Sequence, residues 1–209
     1  IVSSSIDTSP AVMPRLLIIE VSPRGHLSTS RLLAADFATA WSDIPPDGQT
    51  VVRDLEPPHL PYIDADWVGG AFISPEQRSA NMTRSLAIGD ELIAELRSAD
   101  HVVIGAPMYN FSIPAILKAY IDHVCRVGET FTPSYEGLLI GKKATVILSS
   151  GGDYSPGAPH EAANAASSYL RQVLGFVGIA DVEVILAGRT VALMTGDTSV
   201  DDIRARLRP

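Results

Sequence analysis

The sequence predicts a three-layer α/β sandwich: a five-stranded parallel sheet with helices on both faces. Three observations carry that prediction. Five short apolar runs recur along the 209 residues. Each is separated from the next by a segment long enough for a crossover helix, the signature of strand–helix alternation. The first run, Arg15-Leu16-Leu17-Ile18-Ile19-Glu20-Val21, is apolar without alternation, as expected of a strand covered on both faces. Right-handed crossovers then leave few topologies open.

Taken in order, residues 28–42 follow the first strand as a helix, with Leu32, Leu33, Phe37, Ala40 and Trp41 at helical spacing. Residues 50–55 (Thr-Val-Val-Arg-Asp-Leu) form a second strand. A long irregular connection occupies residues 56–70, where Pro57, Pro58, Pro61 and Gly69-Gly70 oppose regular structure. Ser74-Pro75-Glu76 has the cap, proline, acid order of a helix start, so the next helix is expected from there to about Ser98, striped by Leu86, Ile88, Leu92, Ile93 and Leu96. Residues 101–106 give the third strand and 113–126 a helix. Residues 144–149 give the fourth strand, and 159–176 the next helix. Residues 182–186 form the fifth strand, and 199–207 a short closing helix. No internal repeat or interdomain linker interrupts this order, so one domain is expected from 13 to 209.

Composition narrows the class. Hydrophobic residues make up 46% and charged residues 19%, which excludes a disordered chain. No apolar run reaches the roughly 18 residues of a membrane helix, so no membrane partner is expected. The formal charge of −8 argues against nucleic acid as the main partner. A single cysteine, Cys125, excludes an intrachain disulfide and a Cys-rich zinc site, and a cytoplasmic location is expected. Residues 1–12 are Ser-rich without an apolar core; they are expected to be a remnant or disordered leader ahead of a native start at Met13.

In an open parallel sheet the ligand sits beyond the carboxyl ends of the strands, where strand order reverses. Three loops there carry chemistry. After the first strand, Ser22, Ser28, Thr29 and Ser30 place four hydroxyls around a helix N-terminus, whose free N–H groups and dipole favour a phosphate. A plain Ser/Thr N-cap is the competing reading. Neither GxGxxG nor a Walker A pattern is present, so the phosphate is one held rather than transferred. After the third strand, Pro107-Met108-Tyr109-Asn110-Phe111 offers large side chains for a flat aromatic ligand and Asn110 for its edge; plugging the end of the core is the alternative. After the fourth, Ser149-Ser150-Gly151-Gly152 permits close backbone approach, or makes a simple turn. The five histidines show no metal spacing with carboxylates, Cys125 reads as a packing residue, and no GxSxG elbow is present.

Residues 22–30, 107–131 (PMYNFSIPAILKAYIDHVCRVGETF), 149–152 and 174–179 (LGFVGI) resemble the FMN-dependent NAD(P)H azoreductases, also called NADH:quinone reductases. The resemblance runs from Met13 to about Gly188. It implies a flavodoxin-like fold with strand order 2-1-3-4-5, and a homodimer with an active site at each end of the subunit interface. It implies FMN as cofactor, NADH or NADPH as donor, and quinones or azo compounds as acceptors. By position, Ser22, Ser28, Thr29 and Ser30 would hold the FMN phosphate. Pro107, Met108, Tyr109, Asn110 and Phe111 would line the ribityl chain and ring, and Ser149, Ser150, Gly151 and Gly152 would close over its other side. Phe131, Tyr135, Tyr154 and Phe176 are the expected substrate-pocket residues. The loop Thr132-Pro133-Ser134-Tyr135-Glu136-Gly137 is shorter than in many members, which bears on whether Tyr135 replaces the family's aromatic over the flavin. No side-chain acid or base is required, and no catalytic residue is named. The rival readings are a flavodoxin-type electron carrier and a phosphate-ester-binding hydrolase on the same sheet.

Overall fold

Leu16, Leu17, Ile18 and Ile19 are all buried, so the first strand has no solvent face and must sit inside a covered sheet. The computed structural model describes residues 13–44, 47–56 and 60–207; the leader expected at 1–12 and His59 lie outside them. Five strands, β1 Arg15–Glu20, β2 Gln49–Asp54, β3 His101–Pro107, β4 Lys143–Ser149 and β5 Asp181–Ala187, pair in parallel in the order β2-β1-β3-β4-β5. The chain winds from β1 to β2 on one side and then returns to β3 on the other. The reversal point is therefore the crevice beyond the carboxyl ends of β1 and β3.

Alternate residues of each strand feed two cores. Leu17, Ile19, Val102, Ile104, Val146 and Leu148 face the larger one, under α3 (Ala80–Ser98), α4 (Ala115–Val124) and α5 (Ala165–Phe176). Leu16, Ile18, Val103 and Ile147 face the smaller one, where α1 (Thr29–Ser42) supplies Leu33 and Ala34 and α7 (Val200–Leu207) supplies Ile203. Each fully buried Leu or Ile contributes about 1.5–3 kcal/mol of transfer free energy, which makes this two-sided burial the main stabilising term.

Three of the longer helices start at side-chain caps. Ser28 Oγ accepts from Arg31 N at 3.4 Å, Ser79 Oγ from Met82 N at 3.2 Å, and Asn164 Oδ1 from Ser167 N at 3.0 Å. Two expected boundaries move as a result. Ser74-Pro75-Glu76 opens only a single 3-10 turn, Pro75–Gln77, and α3 begins after the cap Ser79. Likewise α5 begins after Asn164, not at residue 159. The irregular 56–70 connection contains a seven-residue helix, α2 (Ala65–Ala71), whose cap Asp64 accepts from Trp67 N at 2.7 Å and Ser85 Oγ at 2.8 Å. A five-residue helix, α6 (Val191–Thr195), follows β5. Among the described residues no helix is long and apolar enough to cross a membrane.

Candidate functional site at the carboxyl ends of the strands

Ser22, Ser28, Thr29 and Ser30 are buried at the first turn of α1, although residues 23–27 between them are exposed. Only Ser28 is used as a cap. Its hydroxyl lies 3.1 Å from Ser30 Oγ, and Ser22 Oγ accepts from Arg24 N at 3.4 Å. The hydroxyls of Ser22, Thr29 and Ser30 are therefore surplus to what an N-cap needs. Four buried hydroxyls grouped at one helix start make this turn the candidate cradle for a ligand. The chain reaches this geometry through Gly25, at φ +52°, which turns it so that Ser28 N bonds Gly25 O at 3.0 Å.

Two residues that sequence reasoning missed hold the cradle in place. Gly105, in β3, packs directly under α1: a β-carbon there would stand 3.0 Å from Ser30 O and 3.3 Å from Ala34 Cβ. Arg31 sits in the first turn of α1, where a cation opposes the helix dipole. Its guanidinium donates to Ser22 O at 2.8 Å, to Asp54 Oδ2 and Oδ1 at 2.7 and 2.6 Å, and to the Glu20 carboxylate. Glu20 and Asp54 are register partners at the ends of β1 and β2, so one side chain ties both strands to the helix. The hydrogen bond from Arg31 holds the Asp54 carboxyl below its ordinary range, and the bond to Asp54 raises the guanidinium in turn. The sequence signal was the dipole mismatch: a first-turn arginine needs acidic partners, and both strands end in one.

The β3 and β4 loops join directly through Met108 N, which donates to Ser149 O at 2.7 Å. Beyond Pro107 and the buried Met108, Tyr109 and Ser112 exchange N–H···O bonds of 2.9 and 3.0 Å across Asn110 and Phe111. Both central residues have positive φ, +49° and +71°, a conformation that costs a phenylalanine about 1–2 kcal/mol. The turn is locked by Ala165 N, which donates to Phe111 O at 3.0 Å. Tyr109 and Phe111 stay largely exposed, and Phe111 meets Tyr154 edge-on at 6.5 Å. Ser149 and Ser150 are buried, whereas Gly151 and Gly152 are exposed. This loop is pinned from the β5 side: Thr190 N and Oγ1 both donate to Ser150 O at 3.0 Å, and Arg189 N donates to Gly152 O at 2.9 Å. Thr190 is a third supporting residue the sequence did not mark.

The structure divides the expected substrate-pocket residues between the two ends of the subunit. Tyr154 is at the carboxyl end of the sheet, beside Phe111. Phe131, Tyr135 and Phe176 gather elsewhere: Phe131 and Tyr135 stack with centroids 6.2 Å apart, and Phe131 lies 4.7 Å from Phe176. That cluster belongs to the amino end. Leu139 N bonds Val177 O at 2.8 Å just before β4 begins, and Lys143 N bonds Asp100 O at 3.0 Å just before β3 begins. The 12 residues of α5 lie between Phe176 and the Phe111 contact, about 18 Å of helix. Close contact of Gly137 with the Gly178 backbone, where a β-carbon would lie 2.2 Å from Gly178 N, fixes the Tyr135 loop. Within one subunit these four aromatics do not line one pocket.

A cavity of about 370 Å³ lies against the cradle, lined by Arg24, His26, Ser28, Thr29 and Thr190 among others. A larger one, about 690 Å³, lies between α1 and α7 on the sheet face, bordered by Phe37, Ile147, Ile185 and the Asp36–Arg204 ion pair rather than by the three loops. The buried histidine His123 bonds Pro61 O at 2.8 Å, and burial keeps His101 below its ordinary range. Burial also pushes the Cys125 thiol up to about 11.

Comparison with known proteins agrees with this fold. A family model described as a flavodoxin-like fold matches residues 14–208. An FMN-dependent NADH:quinone oxidoreductase of Burkholderia lata is 45% identical over 190 residues, covering 91% of this chain and 90% of its own. One from Jannaschia sp. is 43% identical over 195 residues, covering 93% and 96%. Among solved structures, an azoreductase from Bacillus anthracis superposes with TM-score 0.81 at 28% identity, covering 93% of this chain and 95% of that one.

Proposed function

Because the chain belongs to the family of FMN-dependent NADH:quinone oxidoreductases and azoreductases, we propose that it binds FMN and passes electrons from NADH or NADPH to quinones or azo compounds. The observation that carries this reading is the convergence of three loops on one crevice. A hydroxyl cradle lies on its β1 side, exposed aromatics on its β3 side, and a glycine pair on its β4 side.

The residues fit the cofactor. The hydroxyls of Ser22, Thr29 and Ser30, with the first-turn N–H groups of α1, suit a phosphate monoester. Pro107, Met108, Tyr109, Asn110 and Phe111 suit a flat, amphipathic ring and its polyol chain, and the Ser149 to Gly152 loop would close over the other side, with the backbone N–H groups of Gly151 and Gly152 to offer it. When bound, FMN would supply the two-electron hydride chemistry; the protein supplies position, electrostatics and exclusion of water. The Asn110-Phe111 turn holds the Phe111 backbone in place through Ala165 N and the Tyr109–Ser112 bonds, which sets the point from which its aromatic side chain projects. The backbone N–H groups of Gly151 and Gly152 would stabilise negative charge on the bound cofactor without a titrating side chain, which is why no acid or base is assigned. Donor and acceptor use the same open face in turn, a ping-pong cycle.

The active species in this reading is a homodimer. The amino-end cluster of Phe131, Tyr135 and Phe176 and the exposed Tyr62, Val68 and Phe72 on and beside α2 give each subunit apolar surface for a partner. An antiparallel second copy would bring that aromatic cluster towards the carboxyl-end crevice.

The test is a flavin spectrum of protein reconstituted with FMN, followed by steady-state oxidation of NADH at several quinone concentrations. Parallel double-reciprocal lines support the reading. A bound flavin without NADH oxidation would make the protein an electron carrier. Absence of any flavin binding would remove the proposal.

A further inference from the structure

Resting on that reading of the cradle, we propose that Arg24 is the cation that binds the FMN phosphate and gives the protein its preference for FMN over riboflavin. A phosphate dianion seated among hydroxyls still needs counter-charge, and the adjacent candidate is not available to it. Arg31 is bonded to Glu20, Asp54 and Ser22 O, and the clamp as a whole carries two carboxylates against one guanidinium. It therefore presents a net negative charge behind the cradle.

Arg24 is placed differently. It is exposed, has no hydrogen-bond or ion-pair partner for its side chain among the described residues, and lines the cavity of about 370 Å³ that Ser28 and Thr29 also line. Among the described residues no carboxylate borders that cavity. The backbone holds the residue to the site: Arg24 N donates to Ser22 Oγ, and Leu27 N bonds Arg24 O at 3.1 Å in the turn that leads to Ser28. A guanidinium there matches phosphate geometry, with paired N–H donors that an ammonium lacks. The long side chain closes from solvent onto the phosphate while the hydroxyls bind from beneath.

The measurement is FMN and riboflavin affinity for apoprotein of the wild type, Arg24→Gln and Arg24→Lys, at low and high salt, with circular dichroism to verify folding. Wild type should bind FMN tighter than riboflavin, with the preference shrinking as salt rises. Arg24→Gln should weaken FMN about ten- to hundredfold, the range for a charge-assisted hydrogen bond, and leave riboflavin unchanged. Arg24→Lys should recover part of the loss. Equal weakening of both flavins would show that Arg24 supports the loop, and unchanged FMN affinity would show that it does nothing here; either overturns the proposal. If wild type itself binds the two flavins equally, the phosphate cradle fails, and Arg24's role fails with it.

Discussion

Gly105 and Ser30 meet backbone to backbone, β3 against the first turn of α1, so closely that a β-carbon on Gly105 would stand 3.0 Å from Ser30 O. The atom it meets is backbone and has no rotamer to change, so Gly105→Ala asks the first turn of α1 to give by a few tenths of an ångström. We expect a loss of about 1–3 kcal/mol in apoprotein stability, the ordinary cost of overpacking. FMN affinity should fall as well, because the displaced turn carries the cradle. Denaturant unfolding and flavin titration of the same variant check both, and an unchanged unfolding midpoint would contradict the contact.

Asp54 gives the fold a pH dependence with a fixed sign. Arg31 holds its carboxyl below the ordinary range, so the folded state binds the proton less readily than the unfolded chain. The stability this provides is present above an unfolded value near 3.9 and is lost as pH falls through the lower, folded value. Asp54→Asn should therefore be less stable than wild type at pH 7, with the gap closing in strong acid. Asp54 is about half exposed, so the gap is modest. Urea unfolding of both proteins at pH 7 and below pH 3 measures it; a constant gap would mean that the clamp does not act through charge.

Cys125 should be inert. With its thiol raised to about 11 by burial, it carries far less thiolate at pH 7.5 than a free cysteine, and alkylation should be about two orders of magnitude slower. Prolonged iodoacetamide treatment should leave NADH:quinone turnover intact. Rapid, stoichiometric inactivation would place the thiol in the site after all.

The separation of cradle and aromatic cluster makes subunit complementation a direct test of the dimer. Ser30→Asp removes the cradle and Phe176→Ala opens the cluster, each near one end of the chain's own sheet. In an antiparallel dimer, each site takes its cradle from one subunit and its aromatics from the other. Mixed dimers from co-refolded variants should then contain one site with both ends intact and exceed the turnover of either parent. Turnover equal to the average of the parents, or a monomer by sedimentation at micromolar concentration, would rule out the shared site.

The strands were legible because burial on both faces writes itself as unbroken apolar runs; even edge strand β2 shows, through Val51 and Val52, although both are exposed. Helix starts were less so, since Ser74 and Ser79 are equally good caps by residue type and only packing of α3 selects the second. Helices α2 and α6 are too short to express a period. The loop residues of the site were legible because hydroxyls, aromatics and glycines announce their chemistry. Gly105, Arg31 and Thr190 were not, because each acts through a contact with a distant segment. The position of Phe176 was available in principle: a residue that closes a helix and precedes the next parallel strand must lie at the amino end of the sheet.

The length of α5 has a consequence for how such a protein diversifies. Changes to the Phe176 cluster and to the Phe111 turn lie well beyond the 7–10 Å within which substitutions ordinarily couple, so their effects on stability add independently. If the proposed roles hold, acceptor preference at one end is free to drift across descendants while cofactor retention at the other end stays fixed. In the proposed dimer the partner-facing surface is the constraint that remains, since any aromatic change there is tried against a copy of itself.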